Sequence, residues 1–191
     1  MAISRAYLSI LKAVLDKRDT SGLHTPRTRA ICISYPDINV TTKDMSQILG
    51  KEILPKLKIR TDFSQYKSID GKLVSPTHAV YDTESVLENI GIDADFIDIK
   101  KLRGPEKIVD LNEPLPAEFH DSYDLVIDVG TLEHCFNVGN AFKSMCQMAK
   151  VGAHVVTLAP MSMVNHGFWN FSPTACLTAH HIGPKSKNNL W

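Results

Sequence analysis

The stretch Tyr123-Asp124-Leu125-Val126-Ile127-Asp128-Val129-Gly130-Thr131-Leu132-Glu133-His134 decides the fold. Its first seven residues are β-branched, aliphatic or aromatic apart from two aspartates, with little alternation, and a glycine closes the run. That pattern predicts a strand of a sheet covered on both faces. Reading outward on the C-terminal side, Asn140 to Lys150 puts Ala141, Phe142, Met145, Met148 and Ala149 on one helical face. Gly152 is expected to end that helix. The run Ala153 to Ala159 then reads as a strand stopped by Pro160.

Outward on the N-terminal side, Lys107 to Leu111, Asp95 to Ile99 and Ala30 to Ser34 are short apolar runs that read as three more strands. Asp82 or Thr83 is placed to cap a helix through Val86, Leu87 and Ile90, with Gly91 as its stop. Thr41 to Leu49 predicts a short helix with Thr42 as N-cap. Lys51 to Pro76 reads as an irregular insertion with a turn at Asp70-Gly71. Near the N-terminus, Ile3, Ala6, Tyr7, Ile10, Leu11, Val14 and Leu15 follow the spacing of an amphipathic helix. Strands alternating with helices predict an α/β fold, a doubly wound and mainly parallel sheet. The chain divides on this reading into 1–28 (helix and linker), 29–160 (core) and 161–191 (an aromatic loop and polar tail).

Lys plus Arg total 21 and Asp plus Glu total 21. The balance leaves no electrostatic footprint for nucleic acid or an anionic membrane surface. No apolar run is long enough to span a bilayer, and the N-terminus lacks the apolar centre of a signal peptide. Cys32, Cys135, Cys146 and Cys176 form no C-x-x-C pair, so reduced thiols in a cytoplasmic protein are expected.

In a parallel sheet, ligands bind outside the carboxyl ends of the strands. Asp98 and Asp110 fall at two of those ends. A carboxylate at the first can accept hydrogen bonds from both hydroxyls of a ribose, and one at the second can receive an adenine amino group. An Asx turn is the plainer alternative for each. His134 and His166 are the general-base candidates, because histidine titrates near neutral pH. Cys176 with His180-His181 matches no common zinc spacing, and no metal site is expected.

The run Tyr123 to His134 resembles the fourth strand of class I S-adenosylmethionine-dependent methyltransferases, which typically read "yDlVi", then "LEH". Lys150-Val151-Gly152-Ala153-His154-Val155-Val156 is similar to their entry into strand five. Asp110-Leu111-Asn112-Glu113-Pro114-Leu115-Pro116 resembles their stretch after strand three. The resemblance covers about Ala30 to Pro160. It implies a Rossmann-like fold and S-adenosylmethionine as cofactor. By position it assigns Asp98 to the ribose and Asp110 and Leu111 to the adenine. It assigns Asp128 to Thr131, Gly130 included, to the floor beneath the methionine part. Glu133 and His134 would sit where strand four turns into its helix, a pair more often structural than chemical.

Two departures stand out. The family's glycine-rich turn after the first strand is replaced by Ser34-Tyr35-Pro36-Asp37-Ile38-Asn39, so that Asp37 or Asn39 would have to bind the amino-acid end. The usual last two strands have no counterpart after Pro160. In their place Asn165-His166-Gly167-Phe168-Trp169-Asn170-Phe171 forms either a lid over the acceptor or an aromatic plug of the core. The readings that follow are an enzyme methylating a small-molecule or sugar-like acceptor, or an inactive relative serving as a binding or assembly module. In the second, an exposed sheet edge would be covered by another copy in a homo-oligomer. A dinucleotide-binding oxidoreductase needs the missing glycines even more.

Overall fold

The computed structural model describes residues 2–20, 27–60, 66–67, 73–74 and 79–172. In chain order the elements are β1 (Ala2–Ser4), α1 (Arg5–Thr20), β2 (Thr28–Ile33), β3 (Asp37–Asn39), α2 (Thr42–Leu49), β4 (Tyr66–Lys67), β5 (Leu73–Val74), α3 (Thr83–Asn89), β6 (Ile92–Asp98), β7 (Lys107–Ile108), β8 (Tyr123–Val129), α4 (Val138–Met148) and β9 (Ala149–Leu158). They fall into two compact units. One comprises Arg27–Tyr35 and Asp93–Trp191, the other Ala2–Pro26 and Pro36–Ile92.

The first unit is built on a five-stranded parallel sheet of order β7-β6-β2-β8-β9. The fold is therefore α/β, as the alternating pattern predicts. Ala30 pairs with Leu125 and Ile33 with Asp128, and Leu125 to Val129 run beside His154 to Leu158. From β2 the chain steps outward to β6 and β7, then returns to the other side of β2 for β8 and β9. The succession reverses between β2 and β8, which is where open α/β sheets form a crevice. These two strands are buried almost throughout, which explains their unalternating Val, Ile and Leu. The core gathers Ile31, Ile33, Ile97, Val126, Met145 and Met148. Among the described residues no strand follows β9.

Three sequence expectations change here. The helix after β8 starts at Val138, where the Asn137 side chain accepts from the Asn140 N–H, and it stops at Met148 rather than at Gly152. Gly152 lies inside β9 at φ +83. There the pairing jumps from Tyr123–Ala149 to Leu125–His154. The extra residues bulge, and glycine supplies the left-handed backbone the bulge requires. The third predicted strand shrinks to Lys107–Ile108, because Asp110 draws the chain into a turn by accepting from the Asn112 N–H at 2.9 Å.

A polar group joins four strands across the sheet. Tyr123 on β8 donates its hydroxyl to Asp95 Oδ2 on β6 at 2.8 Å. Lys107 on β7 lies 3.1 Å from Asp95 Oδ1, and Arg29 on β2 lies 3.7 Å from Oδ2. Burial raises the Asp95 carboxyl, but the bonds from Tyr123 and Lys107 outweigh it, so the pKa falls below the ordinary value.

In the second unit, β1 and β3 pair in parallel, with Ile3 beside Ile38 and both fully buried. The helix α1 buries Tyr7, Leu8, Leu11 and Leu15, whereas Ile10, assigned to that face by spacing, is half exposed. Ile3 belongs to the strand before it, which shifts the phase of the stripe. Thr41, not Thr42, caps α2 by accepting from the Asp44 N–H at 3.1 Å. The Thr42 hydroxyl instead pairs with Tyr81 at 2.9 Å. Asp82 caps α3 through the Ser85 N–H. Tyr66 pairs with Val74 and Lys67 with Leu73 in an antiparallel ribbon. The turn expected at Asp70-Gly71 lies outside the described residues. Among the described residues no helix is long and apolar enough to cross a membrane.

Tyr123→Phe keeps the ring in the core and removes one hydrogen bond to a carboxylate. It is expected to lower stability by about 1–2 kcal/mol, read as a reduced urea midpoint at unchanged m-value.

Candidate functional site

A cavity of about 180 Å³ opens at the carboxyl ends of β2, β6, β7 and β8. Its walls include Ser34, Asp98, Asp110, Leu111, Thr131 and His134, with Ile33, Ile97 and Val109 as apolar lining. Asp98 and Asp110 thus share one cleft. Each is also held by the turn it caps. Asp98 Oδ1 accepts from the Lys100 N–H at 3.1 Å, and Asp110 Oδ1 accepts from both the N–H and the side-chain amide of Asn112. The turn expected as the plainer alternative is therefore present at each. One carboxylate oxygen shapes the loop, and the described residues show no hydrogen bond to the other.

The turn after β2 contains no glycine, yet it adopts the conformation glycine usually supplies. Ser34 has φ +76, is 2% exposed, and donates its N–H to the Ile97 carbonyl at 2.6 Å. The chain leaves the sheet by this left-handed serine. Asp37, expected at the ligand, lies in the other unit, where it is 4% exposed and 2.7 Å from Arg60 Nη1. Its carboxylate is engaged by that buried partner.

Asp128 and Gly130 shape the site from beneath and are not among the residues lining the cavity. Asp128 is fully buried. Its Oδ1 accepts from the Thr131 N–H at 2.9 Å and its Oδ2 from the Thr157 hydroxyl. Thr131 in turn donates its hydroxyl to the Ile33 carbonyl at 2.9 Å. The ends of β2, β8 and β9 are tied through these bonds. Burial pushes the Asp128 carboxyl up to about 6, against the opposing bonds from Thr157 and Thr131. Gly130 has φ +89, a backbone that strains any larger residue, and a Cβ there would lie 2.9 Å from Glu133 Oε1 and displace that carboxylate.

His134 lines the cavity and His166 does not, although their rings lie 5.1 Å apart. The residue that joins them is Glu133, which is 2% exposed. Its Oε1 is 3.3 Å from His166 Nε2 and 4.0 Å from His134 Nε2, and its Oε2 is buried without a hydrogen-bond partner. The loop carrying His166 is fastened to the same residue. Phe168 donates its N–H to the Glu133 carbonyl at 2.7 Å, and the Trp169 indole donates to the Cys135 carbonyl at 2.9 Å. Of the three aromatics, only Phe171 plugs the core, edge-on to Phe142. Phe168 and Trp169 remain substantially exposed.

The Cys135 thiol also lines the cavity. Burial, then the negative charges of Asp128, Asp110 and Glu133, pushes it up to about 11, so it stays protonated at neutral pH. Cys176, His180 and His181 lie outside the described residues. Searches with the whole chain find no matching family model, no matching curated protein and no matching solved structure.

Asp128 has a folded-state pKa above its unfolded one. Its stabilising contribution is therefore full below about pH 4 and disappears as pH rises through about 6. The unfolding free energy of the wild type minus that of Asp128→Asn should fall across this window and be flat above pH 7. Urea titrations at matched pH values read the difference directly.

Proposed function

We propose that the chain binds S-adenosylmethionine at the cavity on the carboxyl edge of its parallel sheet and transfers the methyl group to a small-molecule or sugar-like acceptor. The observation that carries this reading is the convergence of Asp98 and Asp110 on one cavity beside the reversal of strand order. Two acidic tips flanking apolar Ile97, Val109 and Leu111 suit an adenosine. The ribose hydroxyls would donate to Asp98, the adenine amino group to Asp110, and the aliphatic side chains would pack on the ring faces. A volume of about 180 Å³ is below that of ordinary ligand pockets. It suits the nucleoside end, and Thr131 and His134 on the same wall would be left for the rest of the cofactor and the acceptor.

When bound, the cofactor supplies an electrophilic methyl group. The protein's own contribution is alignment, since methyl transfer depends chiefly on nucleophile, methyl and leaving sulfur lying in line. His134, at the cavity wall and 44% exposed in its side chain, is placed to accept a proton from an acceptor hydroxyl. Phe168 and Trp169, exposed beside it, give a flat acceptor a surface to stack on. A cytoplasmic setting belongs to the same reading.

A second reading has one observation in its favour. Ser34, buried and left-handed, stands where a glycine would let the backbone approach the cofactor. On that reading the fold persists as a binding module without catalysis.

Calorimetric titration with S-adenosylmethionine and S-adenosylhomocysteine separates the two. Micromolar binding is expected, weakened about ten- to a hundredfold by Asp98→Ala through loss of hydrogen bonds to a charged group. Absence of heat with either ligand at millimolar concentration would reject the cofactor and favour the module.

A further inference from the structure

We infer that Glu133, His134 and His166 form a binding site for a first-row transition-metal dication, beside the cavity and independent of whether that cavity holds S-adenosylmethionine. The three side chains each offer one ligand atom, and these atoms all lie within 4.8 Å of one another. A tetrahedral centre with bonds of about 2.0–2.1 Å separates its ligands by about 3.3 Å. The Glu133–His166 pair already stands at 3.3 Å, and His134 at 4.0 Å from the same oxygen. His134 and His166 are 44% and 40% exposed in their side chains, so a modest rotation of either ring closes the set around one ion.

Glu133 is the independent pointer to a cation. Its side chain is 3% exposed, and Oε2 is buried with no hydrogen-bond partner. A buried carboxylate oxygen without a donor is costly. A nearby positive charge removes that cost, and no lysine or arginine is paired with Glu133 among the described residues; the only groups within ion-pairing distance are the two imidazoles. The surrounding backbone also approaches this residue closely. A Cβ at Gly130 would approach Glu133 Oε1 to 2.9 Å, and a Cβ at Gly167 would meet the Glu133 carbonyl oxygen at 2.6 Å. Gly167 thus permits the close contact of β8's exit turn with the loop that delivers His166, while Gly130 leaves room for the carboxylate within the turn itself.

Two imidazoles and one carboxylate favour zinc and its transition-metal neighbours over magnesium or calcium, which prefer all-oxygen cages. Three protein ligands leave a coordination position for water or for an oxygen of a bound molecule. Because His134 also lines the cavity, a metal-held His134 would no longer take up the acceptor's proton itself, and an oxygen bound to the ion, its pKa lowered, would serve in its place.

The test is calorimetric titration of chelator-treated full-length protein with zinc chloride, with magnesium chloride in parallel. One zinc per chain with micromolar or tighter affinity is expected, and no magnesium binding at equal concentration. Glu133→Gln and His166→Asn should each weaken zinc at least about tenfold. Glu133 is buried, so Glu133→Gln is checked for folding by circular dichroism. His166 is exposed, and His166→Asn decides the matter if the other variant misfolds. Cobalt chloride gives a second reading, a visible ligand-field band that His166→Asn abolishes. The site is refuted if the wild type binds no zinc at millimolar concentration. It is equally refuted if zinc binding survives His166→Asn unchanged, since His166 with Glu133 would then be a simple ion pair.

Discussion

A carboxylate buried at the end of a central strand is the constraint on which the carboxyl edge of this sheet depends. Asp128 sits fully buried where β8 leaves the sheet and gathers donors from Thr131 and Thr157. Thr131 passes the connection on to the Ile33 carbonyl. Three neighbouring strands therefore end at heights fixed by one acidic group. Replacing it with an apolar residue would leave two donors unpaired in a dry interior. The cavity wall, the Gly130 turn and the orientation of Glu133 all follow from where those strands stop.

The fold was largely legible because burial on both faces writes itself as an unbroken apolar run. β2 and β8 were visible as such runs, β6 and β9 by shorter aliphatic stretches in strands only partly buried, and the carboxyl ends of the strands supplied the edge on which to look for ligands. Asp98 and Asp110 were found in this way, since an acid at a strand tip is a local signal. The caps of α2 and α3 were readable to within one residue, because threonine and aspartate beside an apolar stripe have few other uses.

What was not legible depends on contacts between residues far apart in the chain. β1 and β3 have three residues each, too few for a period to emerge, and they exist because Ile3 and Ile38 bury each other. Asp37 looked like a ligand-facing acid only because Arg60, its partner, lies 23 residues away. Ser34 adopts a glycine-like backbone that serine does not advertise. Glu133 and His134 are adjacent in sequence, but His166 joins them from beyond β9, so no spacing rule would place the three together. The helix stop assigned to Gly152 failed because a glycine marks a bulge as readily as a cap.

The bond from the Trp169 indole to the Cys135 carbonyl makes this tryptophan a natural optical gauge of its surroundings. The chain has two tryptophans, and replacing Trp191 by phenylalanine would leave a single emitter. That emitter is fastened by its own nitrogen to the backbone immediately after His134, while part of its ring meets solvent. Any rearrangement of the loop, whatever brings it about, changes the polarity around the indole and so the colour of its fluorescence, with no label added.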